Sequence, residues 1–201
     1  MRMRKLLIAT SNPGKLREMR DALGSVPFEI VSLEDVDPAV RADVEETGTT
    51  FEENARLKAK AYGDRSGLLT LADDSGLEVD ALGGRPGVLT ARYAPGSDED
   101  RYRKLLQELH DVPDGKRGAR FVAVAALYDP ASGSMDVAEG SYAGSIMHSP
   151  RGVGGFGYDP VFFSDELQKS GAEMSVPEKN TVSHRGRAVK AIRDILLQKY
   201  V

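Results

Sequence analysis

Leu71-Ala72-Asp73-Asp74-Ser75-Gly76-Leu77 ends a short apolar run in two adjacent carboxylates, a hydroxyl and a glycine. Leu68 to Ala72 read as a strand, so the stretch delivers acid groups to the mouth of a cleft. Adjacent carboxylates repel, and a strand that ends in them needs a cation, a donor network or bulk water beside it. The flanking sequence has to supply one of the three. Immediately upstream, Thr50 and Glu53 fit a capping box, Phe51, Ala55, Ala59 and Tyr62 form an apolar stripe at helical spacing, and Gly67 ends that helix. Here a helix feeds a buried strand.

Further upstream the unit occurs again. Lys5 to Thr10 read as a buried strand, and Leu16, Met19 and Leu23 recur as on one helix face. Between them, Thr10-Ser11-Asn12-Pro13-Gly14-Lys15 is a polar turn entering a helix, where free N–H groups and a Lys can cradle phosphate. An ordinary strand-to-helix turn with a solvated Lys fits the same residues, and the Walker spacing is absent. Glu29 to Ser32 form a second strand, followed by an acidic, irregular segment containing Glu45 and Glu46.

Downstream of the acid pair, Leu82 to Val88 read as a Gly/Pro-rich loop. Ser97 and Asp100 then open a helix that buries Tyr102, Leu105, Leu106 and Leu109. Ala119 to Tyr128 and Met135 to Ile146 read as two long strands joined at Asp129-Pro130-Ala131-Ser132-Gly133, a hairpin that makes the sheet partly antiparallel. Gly152 to Pro160 follow, rich in glycine; Phe156 and Tyr158 there could stack on a flat ring or belong to the core. In Glu178 to Arg187, Ser183 caps a last helix, which places His184 and Arg185 in its first turn, where cations gain nothing from the helix dipole. A nearby anion or base edge would account for them.

The 201 residues, 40% hydrophobic and 29% charged, describe an ordinary globular chain, expected to form one unit over residues 1–201. No segment approaches the ~20 apolar residues of a membrane span, and the basic start Met1-Arg2-Met3-Arg4-Lys5 leads too quickly into a motif to be a signal peptide, so the expected location is cytoplasmic. The chain has no cysteine, which leaves oxygen or imidazole for any metal and points to a hard ion such as Mg²⁺. A net charge of −4 argues against binding a nucleic acid polymer through a broad basic face. A small phosphorylated ligand needs only a few local donors.

Taken in order, the motifs resemble the inosine triphosphate pyrophosphatase family, hydrolases of non-standard purine nucleoside triphosphates. The resemblance runs through Thr10 to Lys15, Glu45-Glu46-Thr47-Gly48 with Phe51 to Ala55, Ala72 to Leu77, Gly87 to Tyr93, Gly154 to Pro160 and Ser183 to Gly186. Ser11 stands where many members carry Gly. The resemblance implies an α/β fold with a long mixed β-sheet, flanking helices and two lobes around a nucleotide cleft, usually in a homodimer. It also implies Mg²⁺-dependent cleavage of ITP, dITP or XTP between the α and β phosphates. On that footing Thr10, Ser11, Asn12 and Lys15 bind the phosphate tail, with Ser75 beside them; Glu45 and Asp74 hold the metal, and Asp74 orients or deprotonates water. Phe156, within Phe156-Gly157-Tyr158, stacks on the base, Asp159 accepts from a ring N–H, and Lys179, His184 and Arg185 donate to the 6-keto oxygen. Two rivals remain: a different enzyme class, a nucleotide-binding phosphatase or kinase-like protein, and a non-catalytic purine nucleotide sensor or RNA-binding module with the same cleft.

Overall fold

The computed structural model describes residues 3–201; Met1 and Arg2, part of the basic start, lie outside the described residues. β1 (Lys5–Ile8), β2 (Glu29–Ser32), β3 (Leu69–Val79), β4 (Gly118–Asp129), β5 (Ser134–Ile146), β6 (Phe162–Ser164) and β7 (Lys169–Ser170) form one sheet in the order β2-β1-β3-β4-β5-β6-β7. β1 runs parallel to β2 and β3, and the pairings from β3 to β7 are antiparallel. Parallel neighbours need crossovers. These are α1 (Pro13–Leu23), between β1 and β2, and α2 (Phe51–Ser66), between β2 and β3. The fold is therefore α/β with a mixed sheet.

Local chemistry sets the helix ends. α2 opens on the Thr50/Glu53 capping box and closes on Gly67, while α3 (Asp98–Glu108) opens on a Ser97/Asp100 box. The segment before His184 holds a short helix, α4 (Val176–Val182). Its signals are present: Ser175 and Glu178 form a capping box around Pro177. Ser183 then serves both as the end of α4 and as the cap of α5 (His184–Lys199), accepting from the Gly186 N–H.

β3 joins the packing regions. Leu69 and Leu71 face α1 and α5, against Met19, Ile192 and Leu196. Ala72 faces the other way, toward Ala55, Ala59 and Tyr62 of α2. Farther along, Leu77 and Val79 pack with Leu105 of α3 and with Leu109 just past its end. The expectation that this strand stops at Ala72 is corrected here: it continues to Val79, with Asp73, Asp74 and Ser75 opposite Ala125, Val124 and Ala123 of β4. Asp and Gly are poor strand formers, and the long ladder to β4 overrides that preference. β1, by contrast, ends at Ile8, opposite Leu71. From Asp73 to Gly76, β3 is laddered to β4 alone, so its free edge lies beside the carboxyl end of a parallel strand, where open α/β sheets form ligand crevices. Among the described residues no helix is long and apolar enough to cross a membrane.

Candidate active site

The acids adjacent in sequence do not face each other. Successive side chains on a strand point to opposite faces, so Asp73 turns toward α1 and α5 and Asp74 toward α2. Asp73 is buried, its Oδ2 3.3 Å from Lys15 Nζ and 3.1 Å from Arg185 Nε. Asp74 accepts from Lys58 Nζ at 2.9 Å and from Asn54 Nδ2 at 3.2 Å. Of the three partners foreseen for the pair, each acid thus has its own cations and donors.

Their acidities diverge accordingly. Burial pushes the Asp73 carboxyl up, but Lys15, Arg185 and Lys58 outweigh it and hold the group well below the carboxylate range. For Asp74 burial wins against Lys58 and Lys15, and its pKa is raised. Burial also lowers Lys15, only partly offset by Asp73. The two neighbouring carboxyls are thus pushed in opposite directions by their surroundings.

Of the two adjacent glutamates, Glu46 rather than the expected Glu45 lies on the cleft. Glu45 is exposed and lies outside the cleft lining, whereas Glu46 lines it and accepts from Lys58 Nζ at 2.7 Å. Lys58, which the sequence reading passed over, therefore bridges Glu46 and Asp74. Burial lowers its pKa less than Asp74 and Asp73 raise it, so it remains charged. Arg92 Nη2 reaches the other Glu46 oxygen at 3.3 Å.

The Thr10–Lys15 turn also differs from the expected cradle of free N–H groups. Asn12 caps α1, and its Oδ1 accepts from the Gly14 and Lys15 N–H groups at 2.8 and 3.1 Å. The Leu16 N–H bonds the Asn12 carbonyl, and Pro13 has none to give. The turn meets the cleft through the Asn12 and Lys15 side chains, while Thr10 and Ser11 do not line it.

Across the cleft, Gly155-Phe156-Gly157 presents the Phe156 ring beside the start of α1; a Cβ on Gly14 would lie 2.7 Å from its Cδ1. Lys179 Nζ sits 4.9 Å and Arg185 Cζ 5.7 Å from the ring centroid. Both cations are held from behind by Glu18 of α1, a residue sequence reasoning missed. Glu18, 3% exposed, pairs with Lys179 at 2.8 Å and with Arg185 Nη1, and Lys179 also donates to Asp159 Oδ2 at 2.7 Å. Burial raises the Glu18 pKa, but Arg185 and Lys179 more than reverse this. Arg185 further donates to Ser75 Oγ at 2.8 Å, and the anions that explain its place at the start of α5, Asp73 and Glu18, come from the protein. Asp159 Oδ2 already accepts from the Phe156 N–H at 2.9 Å as well as from Lys179. His184 is buried and stacked on Phe121, 4.8 Å between centroids, and its Nδ1 has no hydrogen-bond partner. Burial, then Arg185 and Lys179, push its pKa well below the usual value, so it is neutral at pH 7.

Asn12, Lys15, Glu46, Asp74, Phe156 and Arg185 line one cleft of about 300 Å³, which Thr90, Asp98, Arg101 and Tyr158 also border, while Asp73, Lys58 and Glu18 support it from behind. Among the described residues no three acids or imidazoles converge as a cage for a metal. Mg²⁺ is typically held by one or two carboxylates plus substrate phosphates. Glu46 and Asp74, both on the cleft and the latter a desolvated acceptor, fit that pattern.

Residues 6–195 match the family model of the Ham1 family. A dITP/XTP pyrophosphatase of Symbiobacterium thermophilum is 49% identical over 94% of this chain and 93% of its own length. One from Geobacter sulfurreducens is 49% identical over 96% and 97%. Among solved structures, a HAM1 protein from Coxiella burnetii superposes with a TM-score of 0.86 at 38% identity, covering 98% of this chain and all (100%) of that one.

Proposed function

The chain belongs to the Ham1 family, and from that premise we propose that it is a nucleoside triphosphate pyrophosphatase, hydrolysing the non-standard purine nucleotides ITP, dITP and XTP to the nucleoside monophosphate and pyrophosphate. The observation that carries the chemistry is the divided acid pair, with Asp73 held between the Lys15 and Arg185 cations and Asp74 on the cleft, its pKa raised by burial. A triphosphate brings about four negative charges, and its hydrolysis rests largely on positioning and neutralising them. Lys15, with the Asn12 amide beside it, meets the phosphate tail from α1, and Lys58 meets it from α2. Asp74 takes a proton from water as the water oxygen attacks phosphorus, and the bond between the α and β phosphates breaks with pyrophosphate as the leaving group. The chemistry supplied by Mg²⁺ when bound is neutralisation of phosphate charge and acidification of water, and Glu46 and Asp74 would hold it.

At the other end the purine stacks on Phe156 and turns its 6-keto edge toward His184, Lys179 and Arg185. Lys179 and Arg185 are cations fixed by Glu18, Asp159 and Asp73. Adenine offers a 6-amino donor there and leaves these donors unmatched, a mismatch that discriminates by orders of magnitude. The reading treats residues 1–201 as a single two-lobed domain acting in the cytoplasm as a homodimer, as the family resemblance implies.

Pyrophosphate release from ITP, XTP, GTP and ATP, with and without Mg²⁺, tests the proposal directly. ITP and XTP should release pyrophosphate only with the metal, and kcat/KM for ATP should fall about 10²-fold or more below that for ITP. Release of orthophosphate, or ATP turned over as fast as ITP, would overturn it. The acid assignment is tested separately: Glu46→Gln should lower kcat by about 10²-fold and raise the Mg²⁺ concentration needed for half-maximal rate, while Glu45→Gln stays near the parent. The reverse order of effects would restore Glu45.

A further inference from the structure

Phe156 sits in an arch whose two flanking glycines, Gly155 and Gly157, have φ of 71° and 62°, a left-handed conformation that other residues adopt with strain. Two carboxylates pin the backbone N–H groups of this arch. Asp159 takes the Phe156 N–H from within the same segment, and Asp98 takes the Gly157 N–H at 2.7 Å from 59 residues away.

Asp98 is the first residue of α3, but its carboxylate is not spent on capping that helix. Ser97 and Asp100 do so: Ser97 Oγ accepts from the Asp100 N–H at 3.2 Å, and Asp100 Oδ2 accepts from the Ser97 N–H at 2.7 Å. Asp98 Oδ1 is instead gripped by Arg101 Nη1 at 2.6 Å, and Arg101 Nη2 is tied to the Gly96 carbonyl at 3.0 Å. The carboxylate is thereby oriented with Oδ2 toward Gly157. Asp98 and Arg101 both line the cleft, as do Lys179 and Arg185. The arch thus hangs between two supports, one tied through Asp159 and Lys179 to α1 and the other to α3.

We infer that Asp98 is a positioning residue for base recognition, a latch from α3 to the Gly157 N–H that holds the Phe156 ring where the purine stacks. The inference rests on the reading of Phe156 as the stacking platform. It predicts that nucleotide affinity depends on a residue whose part is to hold the Phe156 arch, whereas affinity for a phosphate tail alone does not.

The test compares Asp98→Ala, Asp98→Asn and Phe156→Leu by KM and kcat for ITP and by the inhibition constant of inorganic tripolyphosphate, which carries the tail without a base. Asp98→Ala should raise KM for ITP about tenfold, the loss of one charge-assisted bond, with kcat within about twofold. Its tripolyphosphate inhibition constant should be unchanged. Asp98→Asn keeps an acceptor oxygen for Gly157 and should recover most of the affinity. A raised KM in Phe156→Leu with no change in Asp98→Ala overturns the latch and leaves the platform standing. An unchanged KM in Phe156→Leu overturns the platform, and the latch with it. If Asp98→Ala weakens tripolyphosphate as much as ITP, or Asp98→Asn behaves like Asp98→Ala, the effect is general and the latch is likewise refuted.

Discussion

Asp74→Asn is expected to lower kcat for ITP by about 10²- to 10⁴-fold, the range in which a positioned general base contributes. The substitution keeps the volume and an oxygen for the Lys58 or Asn54 bond, and it leaves Lys58 paired with Glu46. Because burial already disfavours the Asp74 charge, the neutral amide should fold at least as well as the parent. Pyrophosphate release together with a thermal melt separates the two effects. A drop of less than about tenfold in kcat, with the fold intact, would remove Asp74 from the proton-accepting role.

The second large effect is expected at Glu18. Glu18→Ala leaves Lys179 and Arg185 buried with one carboxylate fewer, and breaking such a pair from one side costs about 3–5 kcal/mol. For a chain of this length that lowers the melting temperature by about 10 °C. The pH dependence has a definite sign. The folded pKa of Glu18 is lower than its unfolded one, so its contribution is complete above the unfolded value of about 4.3 and disappears as pH falls through the folded value. The difference in melting temperature between parent and Glu18→Ala should therefore be widest near neutral pH and close in acid. A constant difference down to the acid limit would show that lost packing, rather than lost charge, explains it. The same variant should narrow the preference for ITP over ATP, since the cations facing the 6-keto position lose their common anchor.

What the sequence could and could not convey follows from how far apart the partners are. Capping boxes at Thr50 and Ser97, the cap at Ser183 and the hairpin from β4 to β5 depend on residues a few positions apart, and they were legible. The acid pair was legible as chemistry but not as geometry, because strand propensity ends the strand at Ala72 whereas β4 carries it past Ser75. Glu46 and Glu45 are equivalent in a loop, and only the position of Lys58 distinguishes them. Lys58 follows Asn54 by one helical turn, beside the apolar stripe of α2, yet a lysine there reads as part of a solvated face. Glu18 is similarly an ordinary helix glutamate until Lys179 and Arg185, more than 150 residues later, close over it.

The ladder that carries β3, β4 and β5 past the cleft has a mechanical consequence. Its register is continuous from Thr70 to Val79 against β4 and from Gly118 to Asp129 against β5, with no bulge where a hinge could lie. Rigid-body closure of the two halves would have to bend three hydrogen-bonded strands at once, whereas hinges operate through a few residues in loops or at the ends of elements. The strand bearing Asp73 and Asp74 therefore serves as a stationary frame, and any opening over a nucleotide falls to loops and element ends rather than to the sheet.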